Sequence, residues 1–370
     1  MMIRNDQQYG SAPIGVGIVG LGRSGWNIHA KAISQLPDHF VVTAVSDLDE
    51  ARCAEARERF GCQVHPSVEA LLADNHVDLV VVASPNHLHP SHVIDALHAG
   101  KHVICEKPMA MDTQQADAMI ATARQMQRHL WVFHNRRFEP HFLKLQQIIA
   151  SGVLGRIVQV RTTVHQFTRR WDWQTLRQYG GGMLNNIGSH LLDLMLELFP
   201  VSPDQLFTHL DCVLSLGDAE DHCVVLLKPD EGPLLHMEIS NAGAYRQNLW
   251  LIMGSRGTLY GNPDQLHWKI ADFKQLPQRQ LQSQTTAERV YPHDDVSWQE
   301  HHWQCPDGQN NSPYTHQQFY MDIYRTFTQG TSPHVSVQSV RRLVNVLEQC
   351  RTQSLLTQNA ETVHESSACL

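Results

Sequence analysis

No run of apolar residues in this 370-residue chain approaches the ~20 needed to cross a bilayer. The start, Met1 to Ala12, is polar where a secretory signal would carry an apolar core. Both absences point to a cytoplasmic protein with no membrane partner. No Cys-x-x-Cys pair occurs: the eight cysteines lie far apart, at 53, 62, 105, 212, 223, 305, 350 and 369, and read as reduced thiols. There is no dense patch of Lys and Arg either. With basic residues scattered and a formal net charge of -8, a phosphate-backbone footprint is missing and nucleic acid is excluded as a partner. Histidine is plentiful, 24 in all, yet the closest pairs, His87-x-His89 and His301-His302, have no second pair to close a tetrahedral site, so no metal is expected. No internal repeat is found.

What remains is an ordinary globular chain whose 42% hydrophobic content supplies a core for each of the two domains its length suggests. The apolar run Ile14 to Val19 leads directly into Gly20-Leu21-Gly22-Arg23-Ser24-Gly25. Trp26, Ile28, Ala30 and Ile33 follow at helical spacing, and a second apolar run, Phe40 to Val45, ends at Ser46-Asp47. This is a dinucleotide-binding βαβ pattern. Gly20 permits the tight strand-to-helix turn, Gly22 lets the backbone approach a pyrophosphate, and Gly25 lets the helix pack closely on its strand. The phosphates would sit on free amides at the helix N-terminus. Asp47 would accept hydrogen bonds from both ribose hydroxyls and repel a 2′-phosphate, and Leu48 follows it rather than an Arg, so NAD is favoured over NADP. The alternative is that Asp47 merely caps the helix beginning near Asp49.

The alternation then repeats. A short strand to His65, a helix from Ser67, strands Leu79 to Ala83, His102 to Cys105 and Leu130 to Phe133, and helices to Ala99 and over Thr113 to Arg128 predict a parallel sheet. Polar residues gather at the strand ends: Ser84-Pro85-Asn86-His87-Leu88-His89, Glu106-Lys107-Pro108 and His134-Asn135-Arg136-Arg137. Ligands bind at such carboxyl ends in open α/β sheets. From Phe138 the rhythm changes. A helix to about Ala150, a long alternating strand from Ile157 to Gln166, strands near 207–216, 222–228, 234–240 and 248–253, and a helix Ile187 to Leu198 predict an α+β unit with a large, mostly antiparallel open sheet. The domains are drawn at 1–135 and 136–370. Residues 271–312, rich in Gln, read as a long surface excursion, followed by helices near 314–328 and 336–352. The last dozen residues read as frayed.

Two places carry candidate chemistry. Lys107 lies between Glu106 and Pro108 at the end of a buried strand, where an ammonium is costly unless paired or neutralised. Near an oxidised nicotinamide its pKa would fall, making it a proton acceptor or a donor to a substrate hydroxyl. The alternative is a Glu106–Lys107 pair that caps the sheet end. In Gly180-Gly181-Gly182-Met183-Leu184-Asn185-Asn186-Ile187-Gly188-Ser189-His190, Asn186 and His190 are four apart and would share a helix face. His190 is a proton shuttle in one reading and a hydrogen-bonded core residue in the other.

These motifs, in this order, resemble those of the Gfo/Idh/MocA oxidoreductases over nearly the whole chain. The glycine loop with His29-Ala30 after it, Ser84 to His89, Glu106-Lys107-Pro108, Asn135-Arg136-Arg137-Phe138 and Gly180 to His190 carry the likeness. It implies a Rossmann domain followed by an α/β domain whose open sheet mediates a homodimer or homotetramer. It also implies hydride transfer between nicotinamide and a sugar, polyol or related carbonyl. Carried over by position, it makes Gly20, Gly22, Arg23, Ser24, Gly25, Asp47, Ser84, Asn86, His89, Glu106, Lys107 and Asn135 cofactor contacts. Lys107 and His190 become the catalytic pair. Asn186 stands where many relatives have Asp, and can orient His190 but not stabilise its imidazolium by charge. Arg169-Arg170 and Trp171-Asp172-Trp173 precede the glycines, where they could meet a sugar ring, although packing of the tryptophans is the favoured reading. The same fold also serves non-catalytic, nucleotide-sensing regulators, and enzymes that hold the cofactor permanently and recycle it in place.

Overall fold

β1 (Ile14–Val19) is apolar and buried along its whole length because it occupies the middle of a sheet covered on both faces. The computed structural model describes residues 12–200, 205–281, 289 and 291–354. The polar start, the last dozen residues and part of the Gln-rich stretch lie outside them. Around β1 stand β2 (Phe40–Ser46), β3 (Gln63–Val64), β4 (Leu79–Val82), β5 (His102–Cys105) and β6 (Leu130–Val132), in the order β3-β2-β1-β4-β5-β6, all parallel. The order reverses between β1 and β4, which opens a crevice at their carboxyl ends. The glycine loop and the ends of β4, β5 and β6 gather there.

The second sheet is built from β7 (Ile157–His165), β8 (Gln205–Asp211), β9 (His222–Lys228), β10 (Leu234–Ser240), β11 (Trp250–Gly254), β12 (Gly257–Asn262), β13 (Gln265–Ala271) and β14 (Trp298–Gln304). Their order is β14-β13-β12-β11-β7-β10-β9-β8, with β7 and β10 parallel and every other pair antiparallel. One face packs Val160, Val225, Leu235, Met237 and Ile252 against Phe142, Leu145, Leu191, Leu192 and Leu347. The other face alternates outward.

Three expectations need correction. The stretch 271–312 is not a featureless excursion: β14 pairs with β13 over seven residues. Its sequence, Trp-Gln-Glu-His-His-Trp-Gln, is exposed on both faces at a sheet edge, so burial imposed no alternation for the pattern to show. β12 and β13 were likewise unanticipated. Glycines at 257 and 261 interrupt the pattern, and Gly257 and Gly261 are required because a Cβ would meet Lys269 and Gln265 carbonyls at 2.2 and 2.3 Å. The division at residue 135 describes the sheets but not the cores. Phe319, Tyr320 and Ile323 of the helix Ser312–Gln329 pack into the first core with Phe40 and Phe133, and the helix Val337–Gln353 contributes to both.

In the glycine loop, space decides which glycine does what. A Cβ on Gly25 would lie 1.9 Å from the Gly20 carbonyl oxygen, and one on Gly20, whose φ is +91°, would lie 2.7 Å from that of Ala83. A Cβ on Gly22 would meet nothing within 4 Å. Gly25→Ala should therefore cost ~2 kcal/mol or more in denaturant unfolding, whereas Gly22→Ala should leave the midpoint nearly unchanged; equal midpoints for both variants would contradict this division of roles.

Candidate active site

Three of the strand ends expected to hold a ligand meet the glycine-rich segment of the second domain. Lys107 Nζ, just beyond β5, donates to the Asn186 carbonyl at 2.9 Å and to Asn186 Oδ1 at 3.3 Å. Asn86, beyond β4, donates from Nδ2 to the Gly180 carbonyl at 2.9 Å. His134, beyond β6, lies with its ring centroid 6.2 Å from that of His190. The glycine segment can take this path because Gly180 and Gly182 adopt φ of +72° and +103°, with Gly182 pressed against Glu220 where a Cβ would fall 2.1 Å from a carboxylate oxygen. Buried Asn185 pins the turn by donating to the Gly180 and Gly181 carbonyls, and Arg351 donates to Asn185 Oδ1 and to the Met111 carbonyl.

Lys107 and Glu106 do not close on each other as a sheet cap. The Glu106 carboxylate takes the Lys107 backbone N–H at 3.0 Å and lies 3.1 Å from His29 Nε2, while the lysine reaches across to Asn186. Burial alone would raise the Glu106 pKa, but the hydrogen bond from His29, with the Lys107 charge, outweighs it and holds the group at about 2. Burial pulls Lys107 down to about 8, opposed by Glu106 and assisted by Arg136 and Arg23. The ammonium thus prevails at pH 7 but is easily discharged.

Asn186 does not orient His190, contrary to expectation. Its Oδ1 is taken by Lys107 and its Nδ2 donates to Gln174 Oε1 at 3.3 Å, an acceptor shared with Arg170. Asn186 instead tethers the lysine. The helix itself begins a turn before Ile187, as π-helical Leu184–Gly188 continuing into Ser189–Leu198. His190 is 9% exposed, and its Nδ1 is buried with no hydrogen-bond partner among the described residues. Burial first, then the Lys107 and Arg136 charges, lower its pKa well below the ordinary value, so the ring is neutral at pH 7. Behind it, Asp193 takes a bidentate ion pair from buried Arg137 at 2.6 and 2.8 Å.

The cofactor side divides similarly. Asp47 is not the helix cap: Asp49 fills that role, accepting from the Ala51 and Arg52 amides, while Asp47 accepts the Leu21 amide at 2.5 Å and the Asp49 amide at 2.9 Å. It is thereby fixed against the glycine loop. Ser24 caps nothing with its side chain, the Trp26 amide donates to the Gly22 carbonyl at 3.0 Å, and the clearance around Gly22 fits a pyrophosphate. His89, expected as a cofactor contact, is 1% exposed, and its nitrogens face the Pro108 and Ser84 carbonyls at 2.8 and 2.9 Å. It holds the two strand-end turns together. Asn135 is similarly inward, donating from Nδ2 to Thr315 Oγ1 at 2.9 Å. The Ser84 hydroxyl lies 3.0 Å from His92 Nδ1. Trp171 and Trp173 are not packed away: they are 76% and 39% exposed. Gln174, Arg351 and Tyr320 were not anticipated, because each meets the site only through distant tertiary contacts.

Comparison with known proteins covers both domains. Residues 14–134 match the model of an oxidoreductase family with an NAD-binding Rossmann fold, and residues 142–260 match the GFO/IDH/MocA C-terminal domain. An inositol 2-dehydrogenase from Rhizobium meliloti is 33% identical over 66% of this chain and 74% of its own. An uncharacterised oxidoreductase from Schizosaccharomyces pombe is 34% identical over 51% of this chain, and the match spans about half, 52%, of that relative's length. Among solved structures, an NAD-binding protein from Listeria innocua superposes with a TM-score of 0.78 at 24% identity, covering 93% of this chain and 98% of the other.

The tether makes its own prediction. Asn186→Asp would place a carboxylate beside the Lys107 ammonium and should raise the lysine pKa from about 8 by ~1 unit or more, read from the pH dependence of the lysine side-chain NMR shift. An unmoved or lowered midpoint would show that the tether does not set the charge.

Proposed function

The chain belongs to the GFO/IDH/MocA oxidoreductase family, and from its site we propose that it transfers hydride between nicotinamide and a hydroxyl or carbonyl carbon of a sugar, polyol or sugar derivative. The observation that carries this reading is the meeting of a tethered, readily discharged Lys107 with a buried, neutral His190 whose Nδ1 lacks a partner. Buried polar atoms are normally satisfied, so an imidazole nitrogen left without a partner near the Lys107 ammonium marks a place for a ligand hydroxyl. The polyol relative named above supports the substrate class.

Gly20, Gly22, Arg23, Ser24, Gly25 and Asp47 would hold the pyrophosphate and adenosine ribose, with Ser84, Asn86 and Glu106 at the strand ends. A bound oxidised dinucleotide supplies the hydride acceptor. NAD is favoured over NADP because the fixed Asp47 carboxylate would face a 2′-phosphate; Arg52, 3.7 Å from it, is already engaged by Asp47 and Asp49. The substrate hydroxyl lies between Lys107 and His190. The Lys107 ammonium donates to the hydroxyl oxygen and stabilises the negative charge that grows there. His190 takes the proton as the C–H pair departs and the C=O bond forms. Reduction returns the same proton. Positioning across the two domains supplies much of the acceleration. The half-exposed face of the second sheet is the surface through which we propose a homodimer or homotetramer assembles. Among the described residues no helix is long and apolar enough to cross a membrane.

Lys107→Ala and His190→Asn should each lower turnover by ~10²-fold or more while dinucleotide binding survives, measured as NADH formation over a panel of sugars and polyols. Unchanged turnover in both would overturn the assignment, and an unmodified chain that binds cofactor but oxidises none of the panel would be a sensor. Asp47→Ser should relax the preference for NAD; the preference is misassigned if NADP serves the unmodified protein equally well.

A further inference from the structure

Tyr320 lies on the helix Ser312–Gln329, which returns to the first domain, and its hydroxyl sits 2.8 Å from His29 Nδ1. The other ring nitrogen, His29 Nε2, is 3.1 Å from Glu106 Oε1, and Glu106 Oε2 accepts the Lys107 amide. Tyr320 and His29 are completely buried and Glu106 is 5% exposed. Phe133 packs on His29 with centroids 4.5 Å apart, and Phe40 on Tyr320 at 5.2 Å, so neither ring has room to swing.

The direction of these hydrogen bonds is dictated by the carboxylate. An ionised carboxylate only accepts, so Nε2 carries the hydrogen. In the neutral ring Nδ1 is then the acceptor, and the Tyr320 hydroxyl donates to it. The phenol thereby selects the tautomer that donates to Glu106. The opposite tautomer would turn a lone pair onto the carboxylate, leaving a buried charge short of a donor.

We propose that Tyr320 and His29 are positioning residues that lock the Glu106 carboxylate in place beside Lys107 and thereby tilt cofactor affinity toward the oxidised, positively charged nicotinamide. The proposal rests on the dinucleotide-binding reading above. Oxidised nicotinamide carries a positive charge that the reduced ring lacks, so a fixed anion separates the two forms by charge alone. Lys107 stands beside Glu106, and Arg23 and Arg136 act on Lys107; without a firmly held Glu106 the repulsion of these cations would favour the reduced form. The lock connects a helix of the C-terminal half to the redox preference of the N-terminal domain.

The test is the pair of dissociation constants for NAD⁺ and NADH, measured by calorimetric titration of the full chain at pH 7. Tyr320→Phe keeps the ring that fills the core and removes only the donor; Glu106→Gln removes the charge. Each should raise the ratio of the NAD⁺ to the NADH constant by ~5-fold or more. The double variant should go no further than Glu106→Gln alone, because the phenol acts through the carboxylate. Ratios within about twofold of the unmodified protein in both single variants, or additive effects in the double, overturn the lock while leaving the cofactor reading intact. An unmodified chain that binds neither form overturns both.

Discussion

A lysine at the end of a buried strand needs acceptors, and here it finds them on the other domain. The contact from Lys107 Nζ to the Asn186 carbonyl and side chain fixes where the second sheet's entry helix stands relative to the Rossmann crevice. The remaining site geometry follows from that constraint. Asn86 meets Gly180, Gln174 backs Asn186, and His190 arrives one helical turn beyond. An ammonium in such a place is costly, and the protein meets the cost with two oxygen acceptors and a nearby ionised Glu106 while leaving the pKa near the operating range.

The electrostatics divide the work between two groups that would otherwise compete. His190 is neutral because it is buried among cations, so it can take a proton but does not keep one. Lys107 is charged at pH 7 and supplies the field. Burial lowers both pKa values, yet at pH 7 one group is charged and the other neutral, the pairing an acid and a base sharing one reaction require. The C-terminal helices matter to this balance. Tyr320 reaches His29, and Arg351 holds the Asn185 turn, so the last described segment of the chain braces both sides of the cleft.

Much of this was legible in the sequence, for identifiable reasons. β1, β4 and β5 were readable because strands buried on both faces are short apolar runs, and the loops at their ends carry polar residues that have no role in a core. Gly20 could be read as the turn glycine and Gly25 as the close-packing one from spacing alone. β14 could not, because an edge strand exposed on both faces has no burial pattern to display. The role of Asn186 was misplaced for a different reason. Helical spacing tells which residues share a face, but not that a lysine 79 residues earlier will claim the side chain. His89 and Asn135 sit in the motifs yet face inward, serving the turns that carry the site. Motif position therefore grouped these residues at the strand ends, while burial and hydrogen bonding separate His89 and Asn135, which face inward, from Lys107 and Asn86, which reach the second domain.

The central claim is that one cleft between the two sheets brings a dinucleotide's nicotinamide, Lys107 and His190 together. A crystal structure of the full chain soaked with NAD⁺ tests it most directly. The account predicts the pyrophosphate over Gly22, the adenosine ribose on Asp47, and the nicotinamide ring facing Lys107 and His190. A dinucleotide bound with its nicotinamide away from these two side chains would contradict it.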